Sequence, residues 1–154
     1  MLHLNMTMDP DDFTTILNDL TFDIQVETQF WADGDVPILV GVRRKSGDSL
    51  NGKVSYKVDV NDYVNGQKWN LQTKLSLENG DDQDVVSEGL SWYMHRAASG
   101  NLPNYTPGLA AWTTLTINGE SQGVYLNVEQ PNKQFLRNRS LWDKDNTWLF
   151  KQIL

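Results

Sequence analysis

Apolar and polar residues alternate along several stretches of this chain, which predicts a sheet. In the run "KVSYKVDVN", Val54, Tyr56, Val58 and Val60 should share one strand face. The same reasoning predicts strands in 21–34, 36–44, 73–80, 109–117, 123–130 and 147–154.

The stretch "TINGESQGVYLNVEQ" predicts a hairpin near the C-terminal end of the chain. Asn118 and Gly119 supply the positive φ angles of a tight turn, and Gly123 permits a bulge. Alternation then predicts that the apolar side chains at 124, 126 and 128 are buried and that those at 125, 127 and 129 face outward.

Two helices are predicted. In "MDPDDFTTILNDL", Asp9 is a suitable N-cap and Pro10 suits the first helical position. A docking stripe is expected there from Phe13, Ile16, Leu17 and Leu20. A longer helix is predicted in "DQDVVSEGLSWYMHRAAS", with a core-facing stripe of Val86, Leu90, Tyr93, Met94 and Ala97.

The order of these elements predicts the α+β class, with an antiparallel sheet, one long helix and a short N-terminal helix. We expect one domain over residues 1–154. Because the chain stops within a predicted strand, we also expect it to be a fragment truncated at its C-terminal end.

Composition makes several function classes less probable. The net charge of −7 disfavours nucleic-acid binding, and the absence of cysteine excludes disulfides and thiolate chemistry. No apolar run reaches the roughly 20 residues of a membrane helix, so no membrane contact is expected. His3 and His95 are the only histidines, and neither metal-binding His pairs nor a nucleophile elbow occurs.

The stretch "VRRKSGDSLNGKVSYK" places five cations around a glycine-containing turn: Arg43, Arg44, Lys45, Lys53 and Lys57. Glycine lets backbone N–H groups approach a phosphate, and cations neutralise its charge. The alternative is a basic hairpin that is simply solvated.

A second pattern is Lys74 on a predicted strand, followed by Glu88 on the predicted long helix. In protein kinases a strand lysine pairs with a helix glutamate and contacts the α- and β-phosphates. A lysine followed by a glutamate also arises by chance, so both interpretations stay open.

Taken together, these stretches resemble the CotH family of spore-coat and secreted kinase-like proteins. The stretches that carry the resemblance include "VGVRRKSGDSLNGKVSYKVDVNDY", "LSLENGDDQDVVSEGLSWYMHRAA", "TINGESQGVYLNVEQPNKQFL" and "TWLFKQ". They follow family order and span nearly the whole chain.

The resemblance implies the N-terminal lobe of an atypical protein kinase that uses ATP with Mg or Mn to phosphorylate Ser of coat or secreted proteins. The catalytic and metal-binding aspartates would belong to a following lobe. We therefore assign no catalytic residue and no metal ligand here, and we expect weak or no nucleotide binding and no phosphoryl transfer from this chain alone. The implied location is extracellular, at the cell surface or in the spore coat.

The resemblance also suggests cofactor-binding residues. Arg43, Lys45, Gly47 and Ser49 would form a phosphate-side turn, and Lys53, Lys57 and Lys74 are alternative phosphate lysines. Glu88 would be the helix glutamate. Glu129 would hold the ribose or a cation, or would be solvated.

A different function class is a non-catalytic spore-coat or cell-surface module for binding and assembly. Six tryptophans favour it, because exposed aromatic side chains suit sugar and protein surfaces. The expected partners are a nucleotide, a substrate or coat protein, and either a second kinase lobe or another copy that covers an exposed docking face.

Overall fold

Seven strands and three helices make up the described part of the chain. A computed structural model describes residues 1–50, 52–80, 85–100 and 107–149, with the backbone alone for 46–50 and 85. The elements are β1 (Leu2–Thr7), α1 (Pro10–Asn18), β2 (Val26–Ala32), β3 (Ile38–Leu50), β4 (Lys53–Asp59), β5 (Lys74–Glu78), α2 (Val85–Ser99), β6 (Ala110–Ile117), β7 (Glu120–Glu129) and α3 (Lys133–Asn138). None of the described helices is long and apolar enough to cross a membrane.

The strands close into a barrel in the order β1-β2-β3-β4-β5-β7-β6. β1 completes the ring, because it pairs antiparallel with β2 and parallel with β6. Leu4, for example, lies opposite Ala32 on one side and Leu115 on the other. The remaining neighbours in the described ring pair antiparallel.

The predicted α+β fold, an antiparallel sheet with one long helix that resembles a kinase N-terminal lobe, is wrong. The sequence-based prediction assigned no strand to residues 2–7, although Leu4 and Met6 alternate with polar residues and are fully buried. Because β1 pairs on both sides, it removes the open sheet edges that the predicted fold would have. The helices are small additions to a closed β-barrel.

The barrel interior is the hydrophobic core. Buried side chains reach it from every second position of the strands, as predicted for 54–60, and Ile16 of α1 also contributes. The rings of Phe30 and Trp69 meet edge to face with centroids 5.3 Å apart. Burial raises the pKa of Tyr125, whose hydroxyl donates a hydrogen bond to the Val54 carbonyl.

The predicted start of α1 is confirmed. Asp9 caps the helix by accepting a hydrogen bond from the Asp11 amide, and Pro10 is the first helical residue. The predicted stripe ends early, since Leu20 lies beyond the helix and is 73% exposed. The predicted strand over 21–34 begins only at Val26.

The predicted second helix is confirmed as α2, but its predicted core-facing stripe is wrong. Val86, Leu90, Tyr93 and Met94 are exposed. The helix contacts the barrel through Gly89 instead, where an added Cβ would collide with the indole of Trp112. Glycine has a low intrinsic helix propensity, but at position 89 it permits the close approach of α2 to β6.

The predicted hairpin of β6 and β7 is confirmed, with Asn118 at φ 51° and Gly119 at φ 84°. The register shifts opposite Gly123, which has φ 81°, so the predicted bulge is also present. The predicted burial is wrong in part. Leu126 and Val128 are buried as predicted, but Val124 is exposed, and Tyr125 and Glu129 are buried. Of the strand predicted for 147–154, residues 147–149 are not in a strand, and 150–154 lie outside the described residues.

Closure by β1 predicts a large loss of stability for Leu4→Ala. Leu4 is fully buried, so truncation removes apolar contacts and leaves a cavity, which typically costs about 2–5 kcal/mol. Leu2→Ala on the same strand is the control, because Leu2 is 41% exposed and should change stability by less than about 1 kcal/mol. Urea denaturation measures both, and equal midpoints for the two variants would contradict the closed barrel.

Candidate functional site

Three cations meet on the outer surface of β3, β4 and β5. Arg43 lies opposite Lys57, and Lys74 lies opposite Asp59 on the next pair of strands. Directly paired residues of antiparallel strands project from the same face. These four side chains, with Gln25, line a cavity of about 160 Å³, which we call the basic cleft.

The charges in the basic cleft favour an anion. Lys74 forms an ion pair with Asp59, with Nζ and Oδ2 2.6 Å apart. Arg43 and Lys57 line the same cavity and are also cationic. Asp59 Oδ1 is buried, and no hydrogen-bond partner for it exists in the described part of the chain. The lining of the cleft thus carries more cationic side chains than carboxylates.

The turn before β2 holds Arg43 in place. The Arg43 guanidinium donates a hydrogen bond to the carbonyl of Phe22, which adopts φ 60°. Asp19 stabilises this turn by accepting hydrogen bonds from the Thr21 hydroxyl, the Thr21 amide and the Ile24 amide. The same segment continues to Gln25, which lines the cleft.

The other basic candidates lie outside the basic cleft. Lys45 pairs with Glu78, which also accepts a hydrogen bond from Ser76 at 2.6 Å. Lys53 donates to the Val124 carbonyl, and its ammonium lies 4.2 Å from the centre of the Tyr125 ring. Burial lowers the pKa of Lys53.

The predicted phosphate-side turn is part of a strand. The backbone of Gly47 and Ser49 belongs to β3, and the Ser49 side chain lies outside the described part of the chain. Their role as ligands therefore stays a prediction.

Glu88 is not brought to the predicted lysine. It lies exposed on α2, where its carboxylate accepts a hydrogen bond from the Trp92 indole at 3.4 Å. Lys74 forms its ion pair with Asp59 instead. The lysine–glutamate arrangement of protein kinases is therefore not formed by these two residues.

Glu129 is buried and forms a two-pronged ion pair with Arg139. Its oxygens accept from the two terminal guanidinium nitrogens at 2.9 and 2.6 Å, and one also accepts from the Leu109 amide at 3.2 Å. The Arg139 guanidinium carbon lies 3.7 Å from the centre of the Phe135 ring. The pair fastens the segment after α3 to the end of β7, and the predicted ligand role of Glu129 stays a prediction.

The cationic side chains of the basic cleft are suited to an anion rather than to a metal held by protein alone. Within the described residues, no group of three or more His, Cys, Asp or Glu side chains could hold a metal ion. Mg²⁺ in nucleotide sites is often bound by one or two carboxylates together with phosphate oxygens. Asp59 could supply one such carboxylate beside Arg43, Lys57 and Lys74.

Sequence reasoning missed three residues that shape these sites. Asp59 could have been found, because it follows Lys57 at the strand period and therefore shares its face. Gln25 and Arg139 reach their sites only through tertiary packing, and neither belongs to a local motif.

The comparisons with known proteins identify one family. The family model described as "CotH kinase protein" matches residues 43–152, which is more than two thirds of the chain. The match begins at Arg43 and includes Lys57 and Lys74. A search of curated proteins found none that matches this chain.

The buried ion pair predicts that Glu129→Gln is strongly destabilising. The substitution leaves the Arg139 charge buried without its carboxylate, and breaking a buried pair in this way typically costs about 3–5 kcal/mol. Glu120→Gln removes the same charge from an exposed position and is the matched control. Urea denaturation should separate the two, and equal unfolding midpoints would show that the pair contributes little.

The hydrogen bonds to the Asp19 carboxylate predict that the fold loses stability in acid. Hydrogen bonds, the largest from the Thr21 hydroxyl, lower the pKa of Asp19 from 3.8 to about 2. The carboxylate therefore stabilises the fold above about pH 4, and this contribution is lost as the pH falls through about 2. In urea denaturation between pH 4.5 and 2.5, Asp19→Asn should show a weaker pH dependence than the unsubstituted protein. Identical slopes would contradict the hydrogen-bonded turn.

Proposed function

We propose, since this chain belongs to the family of CotH kinase proteins, that its basic cleft binds the phosphate groups of ATP. The observation that carries the proposal is the convergence of Arg43, Lys57 and Lys74 on one cavity of the outer barrel surface. Charge-assisted hydrogen bonds from such groups are the strong contacts that phosphate sites use.

The chemistry of each side chain supports a division of roles. Arg43 presents a planar guanidinium, which can contact two phosphate oxygens at once. Lys57 and Lys74 are compact charges on neighbouring strands. Asp59 keeps Lys74 in place through their ion pair.

In this proposal, the parent protein transfers the terminal phosphate of ATP to Ser of a spore-coat, cell-surface or secreted protein. No residue of this chain is assigned as the catalytic aspartate. The proposal therefore assigns nucleotide binding to this chain. The transfer step depends on residues of another segment.

A second candidate function is a non-catalytic module of coat or surface assembly. It is favoured by α2, where Val86, Leu90, Tyr93 and Met94 are between 49% and 66% exposed. Apolar helix faces of this kind suit protein partners, including another copy of the same chain. The two candidates differ in one property, because an assembly module has no need to bind ATP.

The ATP proposal predicts that Lys57→Met and Lys74→Met weaken ATP–Mg²⁺ binding at least about tenfold each. A hydrogen bond to a charged group contributes about 1.5–3 kcal/mol, and 1.4 kcal/mol corresponds to a factor of ten. Calorimetric titration at high protein concentration measures the affinity, with ATP–Mn²⁺ as a second ligand.

Lys144→Met is the matched control. Lys144 is exposed and lies outside the basic cleft, and the substitution removes the same charge. It should leave the affinity within about twofold. An equal loss in all three variants would reveal only a general charge effect. No ATP binding by the unsubstituted chain would remove the proposal and favour the assembly function.

A further inference from the structure

The basic cleft is small for the class of ligand that it is proposed to bind. Its volume is about 160 Å³. Pockets that enclose most of a small organic ligand usually have volumes of about 300–1,000 Å³. A nucleoside triphosphate consists of a flat base, a sugar and a chain of three phosphate groups. The cleft therefore has room for part of such a ligand and not for all of it.

The lining of the basic cleft suits the phosphate chain and not the base. The residues that line it are Gln25, Arg43, Lys57, Val58, Asp59 and Lys74. Three of these side chains are cationic, and the one aliphatic residue, Val58, is fully buried in the barrel core. Within the part of the chain that the structure describes, no aromatic side chain lines the cleft. The cleft therefore lacks the flat surface on which proteins commonly stack a base.

Two polar side chains fill the outer surface on the Gly41 side of the cleft. Gly41 of β3 lies opposite Asp59 and leaves space on this face. Gln25 and Asp62 occupy that space: an added Cβ at Gly41 would lie only 2.5 Å from Gln25 Nε2 and 2.8 Å from Asp62 Oδ2. The gap left by glycine is thus filled by the protein itself, and it offers no slot for a base.

An ion pair bounds the cleft in the opposite direction along the strands. Lys45 follows Arg43 at the strand period, and its ammonium pairs with Glu78. Glu78 also accepts a hydrogen bond from Ser76, which is fully buried and lies opposite Lys57. Lys45, Ser76 and Glu78 bond one another, and none of the three lines the cleft. The cleft therefore ends before them.

The spacing of the three cations matches a chain of linked phosphates. Arg43, Lys57 and Lys74 lie on the neighbouring strands β3, β4 and β5. Neighbouring strands are about 4.8 Å apart, so the cations spread over about 10 Å. A chain of two or three phosphate groups can therefore meet a different cation with each group. A single phosphate can meet fewer of them.

We infer that the basic cleft recognises a chain of linked phosphates and not the nucleoside attached to it. The inference rests on the proposed function, since it assigns the ligand class of the same cleft. Inorganic triphosphate, ATP and GTP should therefore bind alike in the presence of Mg²⁺. AMP, which has a base but a single phosphate, should bind far more weakly. Selection of ATP among the nucleotides is left to residues outside the cleft.

Calorimetric titration of the intact chain with inorganic triphosphate, ATP, GTP, AMP and citrate, each with Mg²⁺, tests the inference. The Kd values of the first three ligands should agree within about threefold, and AMP should bind at least about tenfold more weakly. Citrate is the control for general charge, because it carries three carboxylates and no phosphate. It should also bind at least about tenfold more weakly than triphosphate.

Lys74→Met gives a second readout. If the phosphates supply the affinity, this substitution weakens ATP and inorganic triphosphate by the same factor, while Lys144→Met changes neither. The inference alone is overturned if ATP binds about tenfold more tightly than triphosphate and GTP, if citrate binds as tightly as triphosphate, or if Lys74→Met weakens ATP but not triphosphate. Absence of binding by every phosphate ligand would overturn the proposed function together with the inference.

Discussion

The pairing of β1 with β2 on one side and with β6 on the other is the constraint on which the rest of the structure depends. It turns a sheet with two edges into a ring, so every strand has one face toward a single core and one face outward. On β3, β4 and β5 the outward face carries Arg43, Lys57 and Lys74. Strand register alone brings these three cations together, without any loop.

The basic cleft and the buried ion pair of Glu129 with Arg139 use different faces of the same barrel. The basic cleft lies on the outer face, where charged side chains keep contact with water. The ion pair lies where the inner face of β7 changes from Tyr125 in the core to Asn127 and Glu129 near its end. Polar groups at that position need partners. Glu129 has Arg139, whereas the side-chain oxygen Oδ1 of Asn127 has none among the described residues.

Local rules predicted the elements better than their assembly. The cap at Asp9, the turn at Asn118 and Gly119 and the alternating run 54–60 depend on neighbours in sequence, and all are confirmed. The closure by β1 depends on pairing between residues more than 100 positions apart, such as Leu4 and Leu115, and no local pattern specifies that pairing.

The candidate site residues show the same difference between what local sequence predicts and what strand pairing decides. Arg43, Lys57 and Lys74 could be named as phosphate candidates from their residue type, and strand register then brings them together. The partner of Lys74 could not be chosen from spacing, because Asp59 and Glu88 both follow simple rules and only the sheet register distinguishes them. Helical periodicity likewise placed Val86 and Leu90 toward the core, because periodicity cannot reveal that Gly89 is the contact point with Trp112.

The central claim is that the outer face of β3, β4 and β5 binds the phosphates of ATP, and lysine NMR tests it most directly. With ¹³C-dimethylated lysines, each side chain reports its own surroundings during titration with ATP–Mg²⁺. The account predicts shifts of the Lys57 and Lys74 signals that saturate together, with Lys68 and Lys144 unmoved. Unmoved Lys57 and Lys74 signals at saturating ATP, or shifts confined to other lysines, would contradict it.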